Sequence, residues 1–123
     1  MRESFLLTQV KEYLSILQRC GCLCFRRIHS TGIPRRDGSF SRNTDMMGME
    51  DLQIWLPGGK FLAIELKSDS GRLSLAQDQR KTDLERFGHP YLVAKHLDAV
   101  SAKLNELGIE GPLTLRGKFH DEN

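Results

Sequence analysis

An acid and a base lie close together in an apolar strand pattern, FLAIELK, at residues 61–67. Side chains alternate between the two faces of a strand, so Glu65 and Lys67 share one face while the aliphatic residues between them take the other. Such a pair can hold a cation, bind an anion or position a water molecule. A Glu-x-Lys pattern alone is more often an exposed ion pair on an amphipathic strand, so its meaning depends on its neighbours.

A hairpin is predicted to bring a second carboxylate to this pair. Two strand patterns, at residues 51–56 and 61–67, flank the turn sequence Pro-Gly-Gly at 57–59. The glycines favour a three-residue loop, whose last residue needs a positive φ. In that register Asp51 lies opposite Glu65, with Cβ atoms roughly 5 Å apart. A four-residue loop would shift the register, and Glu50 and Leu52 would then flank that position.

Carboxylates this close repel each other and raise each other's pKa unless positive charge lies between them. Lys67 supplies part of that charge, and a divalent cation would supply the rest. Mg²⁺ binds one or two carboxylates together with waters and phosphate oxygens. Asp51, Glu65 and the main-chain carbonyl of Leu66 are the expected ligands, with Lys67 holding a water or offsetting charge at phosphorus. This set predicts metal-assisted hydrolysis of a phosphodiester.

Positive charge is concentrated upstream of the hairpin. Six arginines and one acid lie between Arg19 and Arg42, a net charge of +5, and the rest of the chain sums to −3 for a total of +2. Such clustering is typical of a phosphate-binding face, although a solvated loop rich in arginine is the alternative. The predicted DNA-binding residues are Arg26, Arg27, Arg35, Arg36 and Arg42.

The composition indicates one soluble domain. The chain has 123 residues, with 39% hydrophobic and 28% charged residues and no apolar run long enough to span a membrane. We expect a single domain over residues 1–123, with a core at about 3–107 and a tail at 108–123. The three cysteines form an odd set, CGCLC, which favours a reducing cytoplasm over a disulfide framework. The N-terminal sequence lacks the pattern of a secretory signal.

Periodicity predicts the order helix, strand, strand, strand, helix, strand, helix, an α/β arrangement. The expected elements are a helix at 3–18, strands at 22–28, 51–56 and 61–67, a helix that begins at Ser74 and stops at Gly88, a strand at 91–95, and a helix capped by Asp98. Asp37-Gly38 marks a hairpin-type turn in the basic segment. A short edge strand is possible at 113–115.

These features resemble the PD-(D/E)XK nuclease superfamily and, more narrowly, its VRR-NUC group. Five motifs follow the family order: Glu3 as the acid that opens the first helix, Gly48-Met49-Glu50-Asp51 for its Gly-x-Pro-Asp element, Glu65-Leu66-Lys67 for E-x-K, Leu73-Ser74-Leu75-Ala76-Gln77 for the helix opening Leu-Ser-x-x-Gln, and Gly88 before the strand at 91–93. Glu50 replaces the usual proline and leaves open whether Glu50 or Asp51 is the metal ligand.

The resemblance implies a restriction-endonuclease-like fold, with a mixed sheet flanked by helices. It implies a DNA endonuclease dependent on Mg²⁺ or Mn²⁺, selective for junction or flap DNA, such as a four-way Holliday junction, and active as a homodimer. The implied catalytic residues are Glu3, Asp51, Glu65, Lys67 and Gln77. The resemblance implies that Gln77 reaches the active-site lysine or a water. A structural alternative is that Gln77 only caps its helix, because Ser74-x-x-Gln77 is also a capping box. Small stand-alone nucleases of this group resemble phage or prophage proteins, which implies a bacterial cytoplasm.

Two other functions remain open at this stage. The chain could be a nucleic-acid-binding module that keeps the fold and has lost the chemistry. It could also be a general interaction domain whose Glu–Lys face is merely solvated. The complete set of two acids and a lysine favours the enzyme, because a loss of chemistry usually removes one of these residues.

Overall fold

The computed structural model describes residues 2–29, 33–41 and 46–110. Its elements, in chain order, are α1 (Glu3–Arg19), β1 (Cys24–Arg27), β2 (Ile33–Pro34), β3 (Phe40–Ser41), β4 (Leu52–Leu56), β5 (Lys60–Leu66), α2 (Leu75–Arg86), β6 (Tyr91–Ala94) and α3 (Leu97–Glu106). A single 3₁₀ turn at Pro57–Gly59 joins β4 to β5. The α/β class and the order of the predicted elements are confirmed, and β2 and β3 add a short pair within the basic segment.

Four strands form a mixed sheet in the order β1, β4, β5, β6. β1, β4 and β5 are antiparallel neighbours, and β6 runs parallel to β5. Leu56 pairs with Lys60, so the predicted three-residue loop is confirmed. Gly58 and Gly59 have φ values of 78° and 77°, a conformation that glycine adopts without the steric cost of a Cβ atom.

The helices cover the two faces of the sheet unequally. α1 buries a stripe of four aliphatic residues against the sheet, and α3 adds two more to the same hydrophobic cluster. We call this side of the sheet the α1 face. α2 lies on the opposite side, the α2 face, and none of its residues is buried. α2 is therefore held by something other than an apolar core.

Several boundaries differ from the sequence expectations. β1 covers only four of the seven residues predicted for it. His96 occupies the N-cap of α3 and Asp98 lies inside the first turn, where its charge still favours the helix dipole. The predicted turn at Asp37-Gly38 is confirmed, since the Asp37 carboxylate accepts hydrogen bonds from the main-chain N–H and the hydroxyl of Ser39.

Two expectations fall at the limits of the described residues. The possible strand at 113–115 and most of the predicted tail lie outside them, because the structure describes the chain only as far as Glu110.

Among the described helices, none combines the length and apolar character needed to cross a membrane.

Candidate active site

Glu65 lies near the end of β5, on the α2 face, and only 3% of its surface is exposed. Its Oε2 atom accepts a hydrogen bond from Gln77 Nε2 at 2.9 Å and lies 3.3 Å from Lys67 Nζ. Its Oε1 atom is buried and has no hydrogen-bond partner within the described part of the chain. A buried carboxylate oxygen without a donor is costly, so this atom is suited to a ligand that the protein itself does not supply.

Asp51 stands immediately before β4 and is fixed from both sides. Its Oδ2 atom accepts the main-chain N–H of Leu66 at 2.8 Å, and its main-chain carbonyl accepts the N–H of Ile28 at 2.8 Å. The Asp51 carboxylate thus accepts a main-chain hydrogen bond from β5 at the point where the pairing of β4 with β5 ends. Leu52 pairs with Ile64, and continuing this register by one residue brings Asp51 opposite Glu65, as predicted.

The pKa of Glu65 reflects its burial and the closeness of the Asp51 carboxylate. Burial, followed by the charge of the neighbouring Asp51 carboxylate, raises the pKa of Glu65 from 4.5 to about 7, although Lys67 acts in the opposite direction. The lysine only partly offsets the combined effect. The site is therefore short of positive charge.

Glu50 is engaged elsewhere. It is 1% exposed, and Arg80 holds both of its oxygens, from Nε at 2.8 Å and from Nη2 at 3.2 Å, while Gln53 donates to Oε2 at 3.0 Å. Burial alone would raise the pKa of Glu50, but the hydrogen bonds, with Arg80 the strongest, bring it below the ordinary value. With both oxygens occupied, Glu50 is a poor metal ligand, and this geometry favours Asp51.

Gln77 completes the predicted capping box and also contacts a carboxylate of the site. Its Oε1 atom accepts the Ser74 N–H at 2.9 Å and its own N–H donates to Ser74 Oγ, which completes the capping box of α2. Its Nε2 atom remains free to reach Glu65. The contact is with the glutamate carboxylate, whereas the resemblance implied the lysine or a water.

Gly48 lies against the first turn of α2, in the segment that leads through Asp51 into β4. A Cβ atom on Gly48 would lie 2.5 Å from the main-chain oxygen of Ala76, and the glycine has a φ of 77°. Only glycine permits this close approach. Neither this contact nor the Arg80–Glu50 pair was anticipated from the sequence; a glycine in the segment that enters β4 was the only signal available.

Tyr91 is another residue that the sequence did not single out. It begins β6 beside Ala63 and is 6% exposed, and its hydroxyl has no hydrogen-bond partner among the described residues. Burial, followed by the charge of Glu65, raises its pKa. Tyr91 therefore stays neutral next to the carboxylates.

Glu3 and Arg27 approach the same end of the sheet from the α1 face. Glu3 Oε1 accepts the Ser68 N–H at 3.3 Å, close to Lys67 in the chain. A partly open cavity of about 200 Å³ lies here. Its lining consists of Glu3, Ser4, Leu7, Arg27, Asp51 and Leu66. Glu3, Asp51, Glu65, Lys67 and Gln77, all predicted from the sequence, are thus gathered around one end of β5.

Comparison with known proteins gives one match to the architecture. No protein-family model matches the chain, and no curated protein does. A solved structure described as "VRR_NUC domain" aligns with 85% of this chain and 94% of its own, with a TM-score of 0.57 and 20% identity. The chain has the VRR-NUC fold. The restriction-endonuclease-like architecture expected from the resemblance is thereby confirmed, and at this identity the likeness concerns the fold.

Within this VRR-NUC fold, the donor set at β5 fits a hard divalent cation. The described residues contain no group of three or more His, Cys, Asp or Glu side chains arranged to hold a metal. The expected ligands are fewer: the Asp51 and Glu65 carboxylates and the Leu66 carbonyl, with waters and phosphate oxygens completing the shell. The unpartnered Glu65 Oε1 atom and the raised pKa of this carboxyl both agree with such a cation.

The predicted DNA-binding arginines fall into separate places on the VRR-NUC fold. Arg26 is exposed on β1, and Arg27 beside it is half-buried. Arg35 and Arg36 are exposed at the turn between β2 and β3. Arg42 lies outside the described residues.

Proposed function

We propose that this chain is a DNA endonuclease that hydrolyses phosphodiester bonds with the help of Mg²⁺ or Mn²⁺. The observation that carries the proposal is the buried Glu65 carboxylate, with one oxygen unpartnered, beside Asp51 and 3.3 Å from Lys67. The likeness to a solved VRR_NUC domain supports a nuclease over other enzyme classes with paired carboxylates.

Asp51, Glu65 and the carbonyl of Leu66 would hold the cation. When bound, it makes a water molecule more acidic and polarises the phosphoryl oxygens. Hydrolysis forms a bond between the water oxygen and phosphorus and breaks the bond from phosphorus to one bridging oxygen, which leaves with a proton. Lys67 would hold the water or offset the negative charge that builds at phosphorus, and its position 3.3 Å from Glu65 supports this role.

Two further residues act at a distance from the reacting atoms. Gln77 fixes the Glu65 carboxylate through its 2.9 Å hydrogen bond. Glu3 accepts the N–H of Ser68, which follows Lys67 directly, and so orders the chain on which the lysine stands. We infer that removing Glu3 weakens activity less than removing Asp51 or Glu65.

The substrate is proposed to be branched DNA, such as a four-way junction or a flap, bound by a homodimer. One copy of the chain carries one carboxylate site, so incising two strands of a junction requires a second site at fixed spacing. A two-fold dimer is the simplest assembly that supplies this second site. The arginines of the basic segment would follow the phosphate backbone, which makes binding fall steeply with salt.

The test is incubation of the purified protein with four-way junction, flap and linear duplex DNA, in Mg²⁺, Mn²⁺ or EDTA. Glu65→Gln is compared with Glu12→Gln, the same substitution at an exposed position of α1. We expect metal-dependent cleavage that is lost in Glu65→Gln and retained in Glu12→Gln.

The other outcomes separate the alternatives. DNA binding without cleavage under every metal condition would identify a binding module, and an absence of both would leave a general interaction domain. Light scattering tests the dimer. A monomer at micromolar concentration that cuts duplex as fast as junctions would refute the proposed substrate and assembly.

A further inference from the structure

Arg26 and Arg27 are adjacent in the sequence but point to opposite faces of the sheet. Residues paired across antiparallel strands share a face, and Arg27 pairs with Leu52, which is buried on the α1 face. Arg26 pairs with Gln53 on the α2 face, is exposed, and donates to the neighbouring carbonyl of Phe25 at 2.8 Å. The two arginines therefore lie in different surroundings, Arg27 on the α1 face and Arg26 on the α2 face.

Arg27 extends into the cavity that also exposes Asp51 and Glu3. Its Nε atom is buried and lacks a hydrogen-bond partner among the described residues, and its Nη1 atom lies 3.4 Å from His29 Nδ1. No ion pair joins it to a carboxylate in that part of the chain. A guanidinium beside two acids, yet paired with neither, keeps donors other than the one directed at His29 available for an anion.

The charge of the site explains why such a donor is needed. Glu3, Asp51 and Glu65 gather around the end of β5, and Lys67 is already paired with Glu65. A phosphodiester would add another negative charge to this group. A cation that is not tied to a carboxylate lowers the cost of admitting it, and the planar guanidinium fork matches two phosphate oxygens.

The cavity also has suitable size and position. At about 200 Å³ it exceeds the roughly 30 Å³ that one water occupies in the liquid. It borders the Asp51 carboxylate and Leu66, both of which are expected cation ligands. An anion bound there lies next to the proposed reacting centre.

We propose that Arg27 binds the non-bridging oxygens of the phosphodiester that is cut, whereas Arg26 contacts the DNA backbone elsewhere. This inference rests on the proposed hydrolysis at Asp51 and Glu65. It makes Arg27 a catalytic residue whose contact strengthens as negative charge builds on the phosphoryl oxygens.

Kinetics separate the two arginines. Single-turnover rates at saturating DNA and dissociation constants are measured for Arg27→Met, Arg27→Lys and the matched neighbour Arg26→Met. Loss of an electrostatic contact at the reacting group typically costs on the order of 100-fold or more in rate. We expect a loss of this size for Arg27→Met with a small change in affinity, a partial loss for Arg27→Lys, and weaker binding that excess DNA overcomes for Arg26→Met.

Folding is checked in the same variants. Arg27→Met removes a buried donor without a partner, so its melting temperature should not fall. An Arg27 variant that loses only affinity, as Arg26→Met does, or that loses neither rate nor affinity, would overturn the assignment.

A second measurement does not depend on cleavage. The Arg27 Nε–H resonance is followed by ¹H–¹⁵N NMR while dimethyl phosphate, a phosphodiester monoanion, is added to the wild-type protein. We expect a saturable shift of Arg27 Nε–H and little change at Arg26. A shift in a protein that cuts no DNA would refute the nuclease and keep the phosphate site. Cleavage by the wild type, with no Arg27 shift and an unchanged rate in Arg27→Met, would refute the phosphate site and keep the nuclease.

Discussion

Glu65→Gln should make the metal-free protein more stable at pH 8 while abolishing its proposed activity. Burial and the Asp51 carboxylate raise the pKa of Glu65 from 4.5 to about 7. The folded protein thus holds this proton more tightly than the unfolded chain does. The stabilisation is fully present below pH 4.5 and is lost as the pH rises to about 7.

The size of the effect follows from this interval. The pKa interval from 4.5 to about 7 covers roughly 2.5 pH units at about 1.4 kcal/mol each, which sets an upper limit of about 3.5 kcal/mol. Glutamine has nearly the same shape and still offers an oxygen to Gln77, so the packing is kept. It loses the ion pair with Lys67, and for this reason we expect a net gain of about 1–3 kcal/mol above pH 7.

The assay is urea denaturation in EDTA from pH 4.5 to 8.5, analysed as the difference in unfolding free energy between Glu65→Gln and wild type. Titrating groups that do not interact with Glu65 cancel in this difference, and Glu12→Gln controls for removal of an exposed charge. The difference should grow in favour of the variant between pH 4.5 and 7 and then level off. A difference that is independent of pH, or that grows in favour of wild type, would refute the charge balance described for the site.

Four further changes test other parts of the site. Asp51→Asn and Lys67→Ala should each abolish cleavage in a gel assay while circular dichroism stays native; wild-type rates in both would refute the assignment. Mn²⁺ or Mg²⁺ should raise the melting temperature of the wild type through binding to the folded state, and much less so that of Glu65→Gln; equal shifts would place the cation elsewhere. Gly48→Ala should destabilise by more than Gly58→Ala, which has a similar φ of 78° but nothing near its Cβ, and should also slow cleavage; equal urea midpoints and equal rates would remove the role of the Ala76 contact.

The features predictable from the sequence are those encoded by short spacings. The apolar stripe of α1 and the Pro-Gly-Gly turn each depend on residues within a few positions of one another. The turn fixes the register of β4 and β5, and this register carries Asp51 to Glu65. The Ser74–Gln77 capping box was predictable for the same reason, and the structure confirms it.

The remaining features depend on contacts between distant segments. Arg80 and Glu50 are thirty residues apart, and nothing local indicates that they meet. The close approach of Gly48 to Ala76 likewise exists only once α2 has docked. The different surroundings of Arg26 and Arg27 follow from the pairing of β1 with β4. From charge alone, the sequence assigns both residues to the same DNA-binding cluster. Asp98 shows a different kind of error, since this good capping residue lies two residues after the observed N-cap, His96, and within the first turn of α3.

The absence of buried residues in α2 has a consequence for the rigidity of the molecule. α1 is anchored by a full aliphatic stripe, whereas α2 is attached through Gln77 to Glu65, through Arg80 to Glu50 and through Ala76 to Gly48. Segments with few buried apolar contacts open at lower free energy than the core. The amide protons of α2 should then exchange with solvent sooner than those of α1, and the helix should open as a unit separate from the core. Order in the carboxylate site and order in this helix are thus coupled, since the Gln77 and Arg80 contacts end on Glu65 and on the neighbouring Glu50.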